Sequence, residues 1–260
     1  MIRRDVPRDG NAESWLLISQ IEHARLSHRL AAEWTGLLPT APPRVREEFL
    51  AAVLHHDDGW DDWKTDPTLD PERGRPYGFT EMPTAESQAI WTRSIDACEA
   101  IGPFAAWVVA SHFIALQSKR DDDFSAWARW LGEQDRRRAD WLRAWRTDDA
   151  EHTESLAEDG LYLLQAFDWL SLWLCCRAPV DARDPVETLE LGDRQRGFGT
   201  YTFTPRDGEI EVAPWPFAGE TLELAVNASR AAAGVYATAD QMAATPTRAA
   251  WRLVPAPADA

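Results

Sequence analysis

The sequence predicts a mainly α-helical protein with a small antiparallel β appendage at its C-terminal end. Three observations carry this expectation. Across the first two-thirds, apolar residues recur at intervals of three and four, the spacing of amphipathic helices. Beyond Leu189 they alternate with polar residues, as in half-exposed strands. The 260 residues are 45% hydrophobic and 27% charged, the composition of a soluble globular protein long enough for a substantial core. The expected division is a helical domain over 1–188 and a β-rich appendage over 189–260 packed on it.

Taken in order, Ser14 to Trp34 reads as the first helix, through Leu16, Leu17, Ile21, Ala24, Leu26, Leu30 and Ala31. Pro39 to Pro43 is a loop, and Glu47 to Asp57 is the second helix. Asp58 to Pro83 is a long irregular connection. A loop of that length is functional or disordered, and its aromatics favour function. A third helix spans Ser87 to Leu116, with a break expected near Gly102-Pro103. Asp123 to Arg146 is a Trp-rich amphipathic helix whose acidic start and basic later turns suit the helix dipole. Thr153 to Cys176 is apolar enough to be central and is ended by Pro179 to Pro185. Strands are expected at Thr200–Thr204, Glu209–Val212 and Thr221–Val226, with Pro205-Arg-Asp-Gly208 as a turn. Ala250–Val254 is a candidate for one more.

The formal net charge of −16 argues against nucleic acid, whose phosphates need cationic partners, and against anionic membrane surfaces. No uncharged apolar run is long enough to span a bilayer. The start has no apolar stretch of the signal-peptide kind. Cys98, Cys175 and Cys176 form no CxxC pair and read as reduced, buried cysteines of a cytoplasmic protein. The 14 tryptophans recur at helical spacings and read as packing residues rather than a stacking platform.

The chemistry-bearing stretch is His55-His56-Asp57-Asp58-Gly59-Trp60. A His followed by an Asp at a helix end can place an imidazole nitrogen and a carboxylate oxygen on one divalent cation, and Mn, Fe, Co, Ni and Zn accept such mixed donors. Candidate ligands precede and follow it on other expected helices: His23, His112 and Asp168. Asp168 lies within Ala166-Phe-Asp-Trp-Leu170, where an ionised carboxylate is costly to bury unless paired or metal-bound. An ion pair with an Arg is the alternative. His28 is about 140° from His23 on a helix and cannot easily share its site. His55 points elsewhere, and His152 falls in a polar stretch expected to be solvated. Asp58 is a candidate general base or, equally, a loop-entry residue. Gln20 shares the face of His23 one turn earlier. Arg75 and Tyr77 are candidate substrate contacts, with Lys64, Arg73, Lys119 and Arg120 as alternatives; a bridge from Arg75 to a loop acid is as good a reading. No Gly-rich phosphate loop, nucleophile elbow or dinucleotide fingerprint is present.

The order His23, His56-Asp57, Asp168 resembles that of the HD superfamily of metal-dependent phosphohydrolases. The resemblance implies an HD-like helical bundle in which those four residues bind a divalent metal, with His112 matching an extra histidine that some members use for a second ion. More closely, Leu17-Ile-Ser-Gln-Ile-Glu-His-Ala24, His56-Asp-Asp-Gly-Trp60, Arg75-Pro-Tyr77 and Phe79-Thr-Glu-Met-Pro83 resemble a bacterial family, domain of unknown function 3891. That resemblance supplies no substrate. The first expectation is therefore a metal-dependent hydrolase acting on a small phosphorylated molecule, with one ion or two. An HD-type non-haem iron oxygenase is the second, and a non-catalytic binding module the third. Oligomeric state is left open.

Overall fold

Strands open the chain as well as close it, which overturns the expectation of an all-α core with a small β appendage. The computed structural model describes residues 1–8, 11–63, 68–118, 124–180, 184–192 and 199–257. The chain forms two compact units. One comprises Met1–Thr35, Asp62–Glu81 and Asp168–Ala260; the other comprises Gly36–Asp61 and Met82–Phe167.

The first unit is built on a sheet. Its strands are β1 (Ile2–Arg8), β2 (Asn11–Ile18), β5 (Leu189–Leu191), β6 (Tyr201–Arg206), β7 (Glu209–Ala213), β8 (Leu222–Ala232) and β9 (Thr245–Pro255). They form one curled sheet in the order β1-β2-β8-β9-β7-β6-β5. The pairings are antiparallel except β7 with β9, which is parallel. The sheet is therefore mixed rather than antiparallel, because β9 enters between β8 and β7. Alternation predicts the later strands well: Leu222, Leu224 and Val226 are buried on β8, and Ala249, Trp251 and Leu253 on β9. The turn between β6 and β7 is also as expected. Asp207 and Gly208 have φ of 51° and 83°, the left-handed pair that a two-residue hairpin requires.

The stretch from Ser14 to Trp34 is not one helix. Residues up to Ile18 are strand β2, and α1 begins only at Gln20 and runs to Glu33. Trp15, Leu16, Leu17 and Ile18 are all buried, so β2 is covered on both faces and shows no alternation. Trp15 and Leu17 pack with Met1, Ala231 and Met242. The boundary is Ser19, whose hydroxyl accepts from the Glu22 amide at 3.2 Å, as an N-cap does. α1 lies against β8, and the Glu22 carboxylate accepts from the Asn227 amide at 2.8 Å.

Within the expected irregular connection, β3 (Leu69–Asp70) and β4 (Arg75–Pro76) form a small hairpin. Asp70 accepts from the amides of Glu72 and Arg73, and Gly74 adopts a φ of 59°. Glu81 ties this segment to the sheet. Its carboxylate accepts from both terminal nitrogens of Arg3, at 2.8 and 3.1 Å, from Arg75 at 2.8 Å and from the Gly78 amide at 2.8 Å. Arg3 also donates to the Pro76 carbonyl.

The second unit is helical: α2 (Pro43–His55), α3 (Thr84–Glu99), α4 (Pro103–Gln117), α5 (Phe124–Asp148) and the first part of α6 (Glu154–Cys176). The break expected near Gly102-Pro103 is complete and separates α3 from α4. An unbroken buried run from Phe104 to Phe113 leaves α4 buried on every face, and it packs against α2, α3 and α5. Its first amides are met from outside the helix. One oxygen of Glu48 accepts from Phe104 at 3.0 Å and Ala105 at 3.1 Å, where helix amides lack internal partners and a negative charge is favoured. Burial nevertheless pushes the Glu48 carboxyl above its ordinary range. A Cβ on Gly102 would stand 2.2 Å from that same oxygen, so only glycine allows the approach.

Most of the tryptophans are buried, as expected, although Trp169 is exposed. Trp91 stacks on Phe113 with centroids 5.1 Å apart and leans on Trp127 at 5.0 Å. The indole nitrogens of Trp130 and Trp141 donate to Thr92 and Glu99. His152 is not solvated: it is buried, stacked 4.4 Å from Trp145, with Nδ1 2.7 Å from the Trp145 carbonyl.

Glu81 gives the fold a pH signature. Its hydrogen bonds to Arg3 hold its carboxyl down at about 2, against an ordinary 4.5. A depressed carboxyl stabilises the native state fully above its unfolded value and loses that contribution as pH falls from 4.5 toward 2. With a quarter of the side chain exposed, Glu81→Gln should cost about 2 kcal/mol at pH 7. Urea denaturation at pH 7 and pH 3 measures this, and the gap between variant and wild type should shrink at the lower pH.

Candidate functional site

In the first unit, α1 and the last turns of α6 bring His23 and Asp168 together. His23 Nε2 lies 2.9 Å from Asp168 Oδ1, and the His23 side chain is fully buried. Asp168 accordingly has a histidine partner, as its burial demands. The other ring nitrogen, Nδ1, lies 2.8 Å from the hydroxyl of Ser171. Ser171 is in turn 2.7 Å from the Ser27 hydroxyl and 2.9 Å from the Asp168 carbonyl. Ser27 lies one turn beyond His23 and reaches the His23 carbonyl at 3.1 Å. Gln20, on the same helix, is buried, and its Oε1 has no hydrogen-bond partner among the described residues.

Ser171, His23 and Asp168 share the contacts of a serine–histidine–carboxylate relay. Both Ser171 and His23 are completely buried, however, and the serine hydroxyl is within bonding distance of its own helix's carbonyl. A nucleophile so placed cannot meet a substrate. The arrangement suits orientation of the imidazole rather than attack by the serine.

In the second unit, α2 ends at the doublet. His56 Nδ1 is 2.7 Å from the Val53 carbonyl, which can only accept, so Nδ1 carries a proton. Asp57 Oδ2 is 3.8 Å from that Nε2, and both side chains are buried. The His112 ring on α4 stands edge-on to His56, 5.9 Å between centroids. Expected ligands are thus brought together as His23 with Asp168, and as His56 with Asp57 and His112.

The segment immediately after the doublet holds it in place. Asp58–Trp63 is a short 3-10 helix. The Gly59 amide donates to Ser94 Oγ at 3.0 Å, and its carbonyl accepts from the Arg93 guanidinium at 2.9 Å. Gly59 is pressed so close to α3 that a Cβ would lie 1.9 Å from the Ile90 carbonyl oxygen. Asp58 faces His55, with Oδ2 2.7 Å from Nδ1, and both are partly exposed.

Of the expected substrate contacts, Arg75 is engaged by Glu81, an acid of the same connection, as the alternative reading has it. Tyr77 is partly buried, and its amide donates to Thr68 at 3.2 Å. Arg73 is ion-paired with Asp70. Lys64, Lys119 and Arg120 lie outside the described residues. All three cysteines are free thiols; burial pushes Cys98 and Cys175 up, and Cys176 up to about 11, so none offers a thiolate near neutral pH. Among the described residues, no helix is long and apolar enough to cross a membrane.

Sequence reasoning does not single out Ser27 and Ser171. The usable signals are the spacings His23/Ser27 and Asp168/Ser171, four and three residues, which put each pair on one helix face.

A family model described as "Protein of unknown function (DUF3891)" matches residues 1–231. No curated protein and no solved structure matches the chain.

Replacing Gly59 by alanine should distort the doublet without touching a candidate ligand. The clash is with backbone, which cannot swing aside, so a cost of about 3 kcal/mol is expected. Thermal and urea unfolding of Gly59→Ala measure it, and a wild-type stability would show that the 3-10 helix can leave α3 freely.

Proposed function

We propose, from the premise that the chain belongs to the DUF3891 family, that it is an HD-type metal-dependent hydrolase acting on a small phosphorylated molecule. His23, His56, Asp57 and Asp168 would hold one divalent ion of the Mn, Fe, Co, Ni or Zn group. The observation that carries this reading is the state of the two histidines. Each is buried, has Nδ1 engaged by an oxygen of the protein and has Nε2 directed toward a carboxylate. Metal-binding imidazoles are oriented in this way, one nitrogen hydrogen-bonded and the other on the ion. Histidine and carboxylate donors also suit the proposed metals.

When bound, such an ion polarises a phosphoryl oxygen and makes a water molecule acidic near neutral pH. The protein's own residues supply the rest. The Val53 carbonyl fixes the His56 tautomer. Asp58, next to the doublet and within 2.7 Å of His55 Nδ1, is the proposed general base. Gln20 offers a buried amide oxygen one turn from His23, suited to accept a hydrogen bond from water or substrate. Arg75 and Tyr77 remain proposed substrate contacts, Arg75 by exchanging its Glu81 partner for a phosphate.

A second reading, an iron-dependent oxygenase with two ions, is favoured by one observation, the His112 ring beside His56. Oxygen uptake dependent on iron and substrate would promote it above hydrolysis.

Elemental analysis of the purified protein and a phosphoester panel assayed with Mn, Co, Ni and Mg test the primary reading. About one equivalent of metal is expected in the wild type. His23→Ala, His56→Ala and Asp57→Ala should each lower metal affinity at least about tenfold. Metal retained by all three variants would overturn the ligand set. Metal-loaded protein that hydrolyses nothing would overturn the hydrolase assignment, and protein with no affinity for any of these ions would point to a binding module.

A further inference from the structure

We propose that Ser171 is a positioning residue that sets which nitrogen of His23 carries the proton, and so whether Nε2 can meet the ion; the inference rests on the metal reading above. Ser171 carries a single hydroxyl proton, yet three acceptors or donors surround it: His23 Nδ1 at 2.8 Å, Ser27 Oγ at 2.7 Å and the Asp168 carbonyl at 2.9 Å. A hydroxyl both donates and accepts, and this one has a partner for either direction.

For a neutral His23 ring, two hydrogen-bond arrangements are open without moving a heavy atom. In the first, His23 Nε2–H donates to the Asp168 carboxylate, Ser171 donates to Nδ1, and Ser27 donates to Ser171. In the second, Nδ1–H donates to Ser171, Ser171 donates to the Asp168 carbonyl, and Ser27 donates to the His23 carbonyl at 3.1 Å. In the second arrangement no proton stands between Nε2 and the Asp168 carboxylate, as a cation held by both would require. Between the two, the ring loses a proton at Nε2 and gains one at Nδ1. It stays neutral throughout, so no net proton is released from His23.

This reversible hydroxyl separates His23 from His56. The Val53 carbonyl can only accept, so His56 is locked in one tautomer. His23 faces a hydroxyl, so it can be protonated at Nε2, paired with Asp168, while the ion is absent and at Nδ1 while it is present. Without Ser171, an Nδ1–H on the buried His23 ring would lose this acceptor. The metal-bound form would then be penalised, since an unmet buried donor costs more than a hydrogen bond contributes.

The test uses Zn²⁺ alone, titrated against a chelating dye, with nitrogen NMR of the histidines in the full chain. In wild type, His23 should be protonated at Nε2 without zinc and at Nδ1 with it. Ser171→Ala should bind zinc about 10- to 100-fold more weakly, with far-ultraviolet circular dichroism unchanged. Ser171→Thr, which restores the hydroxyl, should recover most of the affinity. Wild-type affinity in Ser171→Ala, alongside its loss in His23→Ala, would overturn the positioning role and leave the metal reading standing. Unchanged affinity in His23→Ala would overturn both. If Ser171→Ala does not fold, the wild-type spectra decide: one tautomer with and without zinc overturns the proposal.

Discussion

Burying a carboxylate is expensive, and Asp168 shows how the chain meets that cost. The residue sits on an apolar stretch of α6 with Leu164, Phe167 and Leu170 buried around it in sequence. An unaccompanied charge there would be neutralised or expelled. His23 provides the partner, but it lies 145 residues away in the chain, so the pair forms only when α1 is placed correctly. Several features serve that placement. Strand β2 feeds directly into α1 through the Ser19 cap, and Glu22 fastens the first turn of α1 to β8. Ser27 and Ser171 then complete the contacts between the two helices. The sheet is thus the frame that carries His23, rather than an addition to a helical core.

The same demand appears in the second unit with different partners. Glu48 is a buried acid satisfied by the first amides of α4, and Gly102 is the residue whose missing side chain allows the approach. The doublet at the end of α2 is fixed by Gly59 against α3. In both places a glycine lets backbone or carboxylate come closer than any side chain would permit. Mean hydropathy or helical periodicity records nothing of this, because the controlling feature is an absent atom.

Legibility in the sequence obeys the same logic. The doublet, His23 and Asp168 are visible because His and Asp are chemically distinctive and Asp168 stands in an apolar run. The helices of the second unit are visible because their apolar spacing is regular, and the β6–β7 turn because Asp-Gly has few other uses. Strand β1, Ile-Arg-Arg-Asp-Val-Pro-Arg, is hidden by its charges and proline, which suit the edge strand it is. Strand β2 is hidden for the opposite reason. Buried on both faces, it has no alternation, and its apolar residues merge with those of α1. Ser19 together with Glu22 is the capping signal that divides them. Ser171 is not legible because a serine inside a helix gains its meaning only from a histidine on another element.

The placement of β9 bears on where this protein can be divided. The family match ends at residue 231, within β8, yet β9 comes later, at Thr245–Pro255, and is hydrogen-bonded on both sides. A chain cut at residue 231 would keep every proposed ligand and lose the strand that joins β1, β2 and β8 to β7, β6 and β5. It would also lose the buried Ala249, Trp251 and Leu253 and leave β7 and β8 with newly unpaired edges. The unit that must be inherited, expressed or transplanted intact is therefore longer than the stretch by which its relatives are recognised.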